Sequence, residues 1–239
     1  MSDSTRTLKA VSALYVPTQV GVDDRSLSSQ VYAEIRERII EGIYPAGARL
    51  RERELSDDLK VSRIPVREAL PQLEADGYIV TYPRRGAVVR QLTLVDVQEL
   101  FDIRLALEVF AARKAAERAR VETLSPRLDE LVKKARTITN EFSPREISTI
   151  NTQIHEEIIR LADSELLDNL MRTVMGRTRW LFRLTSDRDQ NEQFHDHDDL
   201  ARAIYGGNAD IAAAIAHTHI ENGRQPSVEL LKGILPAHS

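Results

Sequence analysis

The amino-acid sequence predicts a mainly α-helical protein with one small β-hairpin in its first half. Apolar residues recur at helical spacing through most of the 239 residues, which is the main sequence signal of amphipathic helices. Two short β-prone runs, Tyr78–Tyr82 and Ala87–Arg90, flank the turn sequence Pro83-Arg84-Arg85-Gly86, a pattern typical of a hairpin. The length suits two domains of ordinary size. We therefore expect a small N-terminal domain that contains the hairpin and a larger helical domain after it.

The composition is that of an ordinary folded protein in a reducing compartment. Hydrophobic residues make up 42% and charged residues 29% of the chain, which is enough apolar material for a sizeable core. The sequence contains no cysteine, which excludes disulfides, thiolate zinc sites and cysteine nucleophiles and favours a cytoplasmic location. Residues 1–26 hold one short apolar patch, too interrupted for a signal peptide or a membrane span. We expect a flexible N-terminal arm and no membrane partner.

The N-terminal domain, residues 27–91, is predicted to place three helices before the hairpin. The first two are expected over Leu27–Glu41 and Arg51–Lys60, and the third begins near Ser62. Pro65 lies in the first turn of that third helix, where a missing amide hydrogen costs little. Pro71 lies well inside it, so we expect a bend or an early end of the regular helix. Three helices followed by a hairpin form a winged helix-turn-helix with a small β-wing.

Basic residues are concentrated in the third helix and the hairpin, although the whole chain carries a net charge of -4. Between Lys60 and Arg90 six basic and three acidic residues give +3, which leaves -7 for the remainder. In a winged helix-turn-helix, arginines near the start of the second helix of the motif reach base edges or phosphates in the major groove. The wing tip can contact phosphates or the minor groove, and glycine permits a tight turn there. The predicted DNA-contacting residues are Arg53, Arg63, Arg67, Arg84, Arg85 and Gly86. A merely solvated charged face is the alternative.

Three segments of this domain resemble the N-terminal domain of GntR family transcription regulators. They are Ala48–Ser56 (ARLRERELS), Val61–Leu70 (VSRIPVREAL) and Leu73–Gly77 (LEADG). The resemblance covers roughly residues 28–91, and it implies that Arg53, Arg63, Arg67 and Gly86 occupy DNA-contacting positions. Pro71 replaces the polar residue that the family commonly has at that place.

The C-terminal domain, residues 92–239, is predicted to be an all-helical bundle. Thr93 is a plausible N-cap for its first helix, with Asp96 three residues on. Breaks in the helical spacing fall near residues 123–126, 140–144, 163, 187–193 and 206–208. This pattern indicates about six helices and no strand.

Three histidines, His155, His197 and His219, lie on the apolar faces of three different predicted helices. Each therefore points toward the core. Neutral imidazoles are the commonest ligands of zinc and related divalent ions, and a helical bundle can gather them from facing helices. Asn151, one turn before His155, could add its amide oxygen. We predict a divalent metal bound by these four residues, zinc first, with nickel or manganese as alternatives; the other interpretation is a set of separate core histidines.

The C-terminal domain resembles the helical ligand-binding FCD domain of the FadR subfamily, over about Thr93 to Gly223. The segment Asp102–Glu108 (DIRLALE) is similar to the first-helix motif of that domain. The three histidines match its metal histidines, while the usual fourth ligand, an aspartate, is replaced here by Asn151. The resemblance implies a metal-containing pocket that binds a small molecule.

Arg104 lies on the apolar face of the first helix of this domain, where a buried guanidinium needs an anionic partner. Glu108, one turn along the helix, is one candidate. The other is the carboxylate of a bound effector, held between Arg104 and the metal as the resemblance to FCD domains implies. Arg177 and Arg183 are predicted to line the same effector cavity.

These patterns predict a transcription regulator that is not an enzyme. We expect a repressor that binds an operator in double-stranded DNA as a homodimer and is released or modulated by a small organic acid. Dimerisation is expected because one recognition helix reads only a short half-site, and two-fold symmetry doubles it. The alternative is a metal-dependent hydrolase fused to a DNA-binding domain. It needs a placed general base, and neither Glu156 nor Glu157 shares the helix face of His155.

Overall fold

A computed structural model describes residue 20 and residues 26–137, 142–186 and 191–238, and the side chains of residues 191–195 are not considered. The N-terminal arm expected over residues 1–26 lies almost entirely outside the described residues. The chain divides into two compact units, the first ending at Leu92 and the second spanning Thr93–His238. Each unit is described separately.

The first unit contains three helices, α1 (Leu27–Ile40), α2 (Glu52–Leu59) and α3 (Arg63–Ala75). Helix α1 begins after Ser26, whose side chain accepts a hydrogen bond from the backbone amide of Ser29, as N-cap residues do. Helices α1 and α2 both pack against α3. Their apolar faces meet in a core of fully buried side chains that includes Val31, Ile35, Val66 and Leu73.

A three-stranded antiparallel sheet completes the first unit, with strands β1 (Arg49–Leu50), β2 (Ile79–Tyr82) and β3 (Gly86–Val89) in the order β1-β3-β2. Strands β2 and β3 form the predicted hairpin, in which Tyr82 lies opposite Gly86. Strand β1 was not predicted, because two residues are too few to show the alternation of apolar and polar positions that marks a strand.

Pro71 lies inside α3, and the helix continues past it to Ala75. Of the two outcomes expected from the sequence, an early end of the helix is therefore not observed. The physical reason is that Pro71 is exposed, so its ring faces solvent and water can hydrate the carbonyl that loses its amide partner. The full length of α3 remains available to carry functional side chains.

The second unit consists of six helices, with no strand in the part of the chain that the structure describes, as the sequence predicted. Their order is α4 (Leu94–Ala119), α5 (Arg127–Arg136), α6 (Pro144–Leu161), α7 (Glu165–Leu184), α8 (Asn191–Tyr205) and α9 (Ala209–Leu231). The predicted cap of α4 is a reciprocal capping box. The amide of Asp96 donates to Oγ1 of Thr93 at 3.1 Å, and the amide of Thr93 donates to the Asp96 carboxylate at 2.9 Å.

Helix α4 is the central helix of the second unit, in contact with α6, α7, α8 and α9. A run of small residues on its inner face, Ala111, Ala112, Ala115 and Ala116, is fully buried and allows neighbouring helices to approach closely. This packing brings the inner faces of α6, α8 and α9 together beside α4. None of the helices in the described ranges is both long enough and apolar enough to cross a lipid bilayer.

Candidate functional site

The first candidate site is the outer face of α2 and α3. Arg63 opens α3, and Arg67 follows one helical turn later, so both project from the same side of the helix. Arg67 and Arg53 of α2 are largely exposed, with 70% and 78% of their side-chain surface accessible. The structure therefore leaves these arginines at the surface of the unit, where a nucleic-acid backbone can reach them.

Both exposed arginines are held by weak surface ion pairs. Nη2 of Arg67 lies 2.8 Å from a carboxylate oxygen of Glu52 on α2, and Nε of Arg53 lies 3.9 Å from Asp57. Exposed pairs of this kind contribute little to stability, because water screens both charges. A phosphate group can therefore replace Glu52 at small cost. Sequence reasoning could not pair Glu52 with Arg67, because the contact joins two helices.

The tip of the wing carries two exposed arginines, Arg84 and Arg85. Arg84 and Gly86 both have positive φ angles, 65° and 75°, and the amide of Arg85 donates to the carbonyl of Tyr82 at 3.1 Å. Positive φ is rare for residues other than glycine, so the turn is tight at Arg84 as well as at Gly86. Both guanidinium groups are thereby presented at the outermost point of the hairpin.

The second candidate site is a cluster of three histidines inside the second unit. His155 of α6, His197 of α8 and His219 of α9 are at most 4% exposed. Their candidate ligand atoms lie within 4.8 Å of one another, and the ring centroids are 4.3 to 5.3 Å apart. The sequence predicted that these three residues point inward, and the structure brings them together. The cluster could hold a metal ion.

The ring nitrogens of the cluster are poorly satisfied by the protein itself. Within the described residues, Nε2 of His155, both ring nitrogens of His197 and Oδ1 of Asn151 are buried without a hydrogen-bond partner. Burial lowers the pKa of His155 to about 4 and holds the pKa of His197 well below its ordinary value, so these imidazoles are neutral near pH 7. A neutral imidazole with an unshared lone pair is a metal ligand. The donor set therefore fits a divalent ion.

Arg104 and Glu108 of α4 form a buried ion pair beside the cluster. Nε of Arg104 donates to Oε1 of Glu108 at 2.6 Å, and Oε2 of Glu108 lies 2.6 Å from Nδ1 of His155. Burial would raise the pKa of Glu108, but the positive guanidinium of Arg104 and the contact with His155 outweigh it and hold the pKa well below its ordinary value. Of the two partners considered for Arg104, the structure shows Glu108.

A narrow cavity, partly open to solvent, adjoins the histidines. Its polar lining comes from Arg104, Asn151, His219 and Ser227, and its apolar lining includes Phe101 and Phe182. The Arg104 guanidinium carbon lies 5.4 Å from the ring centre of Phe101 and 5.0 Å from that of Phe182, within the range of cation–π attraction. The cavity therefore places a fixed positive charge close to the candidate metal ligands.

Arg177 and Arg183 do not line this cavity, where α7 contributes Phe182. Successive residues of an α-helix are turned by about 100°, so Arg183 points to a different side from Phe182. Its side chain is buried, and Nη1 lies 3.4 Å from Oγ of Ser186. Sequence reasoning missed Phe182 and the contact of Glu108 with His155. The signal for Glu108 was its place on the same helix face as Arg104.

Comparison with known families and proteins supports this description of both units. The family of bacterial regulatory proteins called gntR matches residues 27–89, and the FCD domain family matches residues 99–222, more than half of the chain. A crystal structure of a Rhodococcus sp. RHA1 protein described as a GntR transcriptional regulator is 26% identical, with a TM-score of 0.70 over 87% of this chain and 99% of that one.

Two curated bacterial relatives share parts of the sequence. The HTH-type transcriptional regulator YdhC of Bacillus subtilis (strain 168), itself uncharacterized, is 32% identical over 61% of this chain and 65% of its own length. The gluconate operon transcriptional repressor of Bacillus licheniformis is 34% identical over 56% of this chain and 55% of its own length. The chain thus spans less than two thirds of these two relatives. The hydrolase alternative finds no support among them.

The fold and the two sites define a class of protein, namely a transcription regulator that joins a winged-helix DNA-binding domain to an all-helical ligand-binding domain. The chain belongs to the GntR family of bacterial regulators, and its second domain is an FCD domain.

Proposed function

We propose that the protein is a repressor that binds a two-fold symmetric operator as a homodimer and releases it when a small organic acid binds near a metal ion in the helical domain. One observation carries this proposal. The same chain presents exposed arginines on a winged helix and buries three clustered histidines beside a cavity that Arg104 lines. The first arrangement suits a polyanion, and the second suits a small anion.

The DNA contacts are assigned to the exposed arginines of α2, α3 and the wing. Arg63 and Arg67 would enter the major groove with the start of α3, while Arg84 and Arg85 would reach the flanking phosphates. The acidic character of the rest of the chain does not oppose this, because phosphate contacts depend on local charge. Repression, rather than activation, is supported by the name of the gluconate operon repressor. A cytoplasmic location is consistent with this role.

Selection of DNA from random sequences tests this part of the proposal, because it needs no defined operator. The full-length protein is incubated with a pool of random duplexes, and the bound fraction is amplified and sequenced over several rounds. We expect enrichment of a palindromic sequence whose half-sites lie about one helical turn apart. A pool that stays random would contradict operator binding.

The metal is assigned to His155, His197, His219 and Asn151. The unpartnered buried nitrogens and the Asn151 oxygen are the support for this assignment. Imidazole nitrogens are regular zinc ligands, and nickel or manganese are the alternatives. The amide oxygen of Asn151 binds a dication less strongly than a carboxylate does. A bound dication would supply a Lewis-acidic centre that attracts a carboxylate oxygen.

The effector is assigned to the cavity beside Arg104. This cavity is narrow and partly open to solvent, which favours a compact molecule. Arg104 keeps donors beyond those that face Glu108, since a guanidinium has five, and these could hold a carboxylate. The gluconate operon named for one relative is consistent with an acid effector. Arg177 and Arg183 do not line this space, so the proposed contact rests on Arg104.

The homodimer is assigned to the outer face of α4. Ile103, Ala106 and Phe110 form an exposed apolar stripe there, opposite the buried face of the helix, and Ile103 and Phe110 are each 47% exposed. Glu99 lies one turn before this stripe and Arg113 lies one turn after it. An antiparallel copy centred on Ala106 would place Glu99 opposite Arg113 of the other copy. Such self-complementary charge is what a two-fold interface requires.

A further inference from the structure

The buried carboxylate of Glu108 stands between a guanidinium and an imidazole. Oε1 accepts from Nε of Arg104 at 2.6 Å, and Oε2 lies 2.6 Å from Nδ1 of His155. All three side chains are at most 4% exposed as residues. The Glu108 carboxylate therefore has these two protein groups as its partners and is shielded from water.

The protonation of His155 follows from this arrangement. A carboxylate paired with a guanidinium is ionised and can only accept hydrogen bonds. The ring atom that faces it, Nδ1 of His155, must therefore carry the proton and donate it. In a neutral imidazole the other nitrogen, Nε2, is then bare, and this is the atom that is buried without a partner.

We propose that Glu108 is the positioning residue of the metal site, which fixes His155 in the Nδ1–H tautomer so that Nε2 is available as a ligand. This inference rests on the metal site proposed above. Carboxylates that accept from the second nitrogen of a metal-bound histidine fix its tautomer and orientation, and they raise its basicity. Arg104 takes part indirectly, because its guanidinium holds the carboxylate in place.

Only a carboxylate can serve both neighbours. If glutamine stood at this position and its oxygen faced Arg104, its amide group would face Nδ1 of His155 as a donor. The proton of His155 would then move to Nε2, and the lone pair for the metal would be lost. If the amide were turned around, two N–H groups, one from the amide and one from Arg104, would point at each other. Both orientations are unfavourable in a buried site.

The matching contact of His219 is weaker. Its Nδ1 lies 3.4 Å from Oδ2 of Asp196, whose side chain is 31% exposed. Water can share that carboxylate, whereas Glu108 is enclosed. We therefore assign the stronger positioning role to Glu108 and expect Asp196→Asn to change metal affinity less than Glu108→Gln does.

Zinc titration of full-length protein tests the proposal, with a chromophoric chelator as competitor. Glu108→Gln should bind zinc about 10- to 100-fold more weakly than wild type. The matched control is Glu34→Gln, because Glu34 forms the same kind of buried pair, with Nε of Arg38 at 2.7 Å, in the other unit and without a histidine. Glu34→Gln should bind zinc as wild type does. Equal affinities of Glu108→Gln and wild type would overturn the role of Glu108 alone, whereas a wild type that binds no divalent ion would overturn the metal site itself.

The tautomer of His155 gives a second measurement, which a purely structural role of Glu108 would not change. Nitrogen NMR of ¹⁵N-histidine-labelled, metal-free protein distinguishes protonated from bare ring nitrogens. We expect a protonated Nδ1 on His155 in wild type and in Glu34→Gln, and a shift toward a protonated Nε2 in Glu108→Gln. Should Glu108→Gln fail to fold, the wild-type spectrum decides, because a bare Nδ1 on His155 would overturn the proposal.

Discussion

At the scale of single residues, the two sites use arginine in opposite ways. The side chain of Arg67 is 70% exposed and its partner Glu52 is accessible to water. Arg67 can therefore exchange Glu52 for another anion at little cost. The side chain of Arg104 is only 2% exposed and its partner Glu108 is equally enclosed, so the loss of either would leave a buried charge. We therefore expect substitution of Arg67 to affect binding and substitution of Arg104 to affect binding and stability together.

Replacement of Arg67 by alanine should weaken operator binding by about 1 to 3 kcal/mol, because a base or phosphate contact of the recognition helix is lost. Fluorescence anisotropy with a selected operator duplex measures the change. Arg202→Ala is the control, because Arg202 is equally exposed, at 72%, but lies on α8 of the other unit. Equal affinities of Arg67→Ala and wild type would remove α3 from the DNA contact.

Replacement of both His155 and His219 by alanine should abolish stoichiometric metal binding, because two of the three imidazole ligands are lost. Metal analysis of purified protein by mass spectrometry measures the content. His217→Ala serves as the control, because His217 lies on the same helix as His219 but is exposed. A metal-free wild type whose melting temperature does not change with a chelator would identify the cluster as core histidines.

At the scale of the elements, α3 contains a proline within its regular part. Pro71→Ala should stabilise the N-terminal domain by about 1 to 3 kcal/mol, since alanine restores a backbone hydrogen bond in a helix that is already continuous. Denaturant unfolding of the full-length protein measures the change. Pro65→Ala should give no such gain, because Pro65 lies in the first turn of α3, where amides have no helical partner. A loss of stability in Pro71→Ala would show that the proline ring itself supports the helix.

The apolar stripe of α4 gives a prediction for the assembly. Phe110→Glu should convert a dimer into a monomer, because it places a charge within the apolar stripe of the proposed interface. Light scattering coupled to gel filtration measures the molecular mass. Leu170→Glu is the control, since Leu170 is exposed to a similar extent, 53%, on α7. An unchanged dimer in Phe110→Glu would place the interface on another surface.

The elements also show how far the sequence determined the fold. Helices α1 and α2, the start of α3 and the hairpin were predicted within a residue or two, because their apolar spacing and terminal residues were unambiguous. Strand β1 was not predicted, since its two residues form a strand only by pairing with β3. The inward direction of His155, His197 and His219 followed from helical spacing. The lining of the cavity by Phe182 did not, because it depends on how α7 is rotated against its neighbours.

At the scale of the whole molecule, the proposed DNA-binding site and the proposed effector site lie in separate units. The proposed mechanism is a shift between dimer arrangements, in which the effector favours one whose recognition helices fit the two half-sites less well. Such coupling is reciprocal, so operator DNA should also weaken the binding of the effector. This mechanism therefore requires that the acid that binds the helical domain also changes the affinity of the winged-helix domain for the operator.

Operator affinity measured by fluorescence anisotropy in the presence of small organic acids tests this central claim most directly. The panel includes gluconate and common mono-, di- and tricarboxylates, with metal-loaded wild type and Arg104→Ala compared side by side. We expect at least one acid to raise the dissociation constant for the operator about tenfold in wild type, and much less in Arg104→Ala, which should still bind DNA. An acid that raises the melting temperature of wild type while leaving its operator affinity unchanged, or one that acts equally on Arg104→Ala, would contradict the proposed coupling.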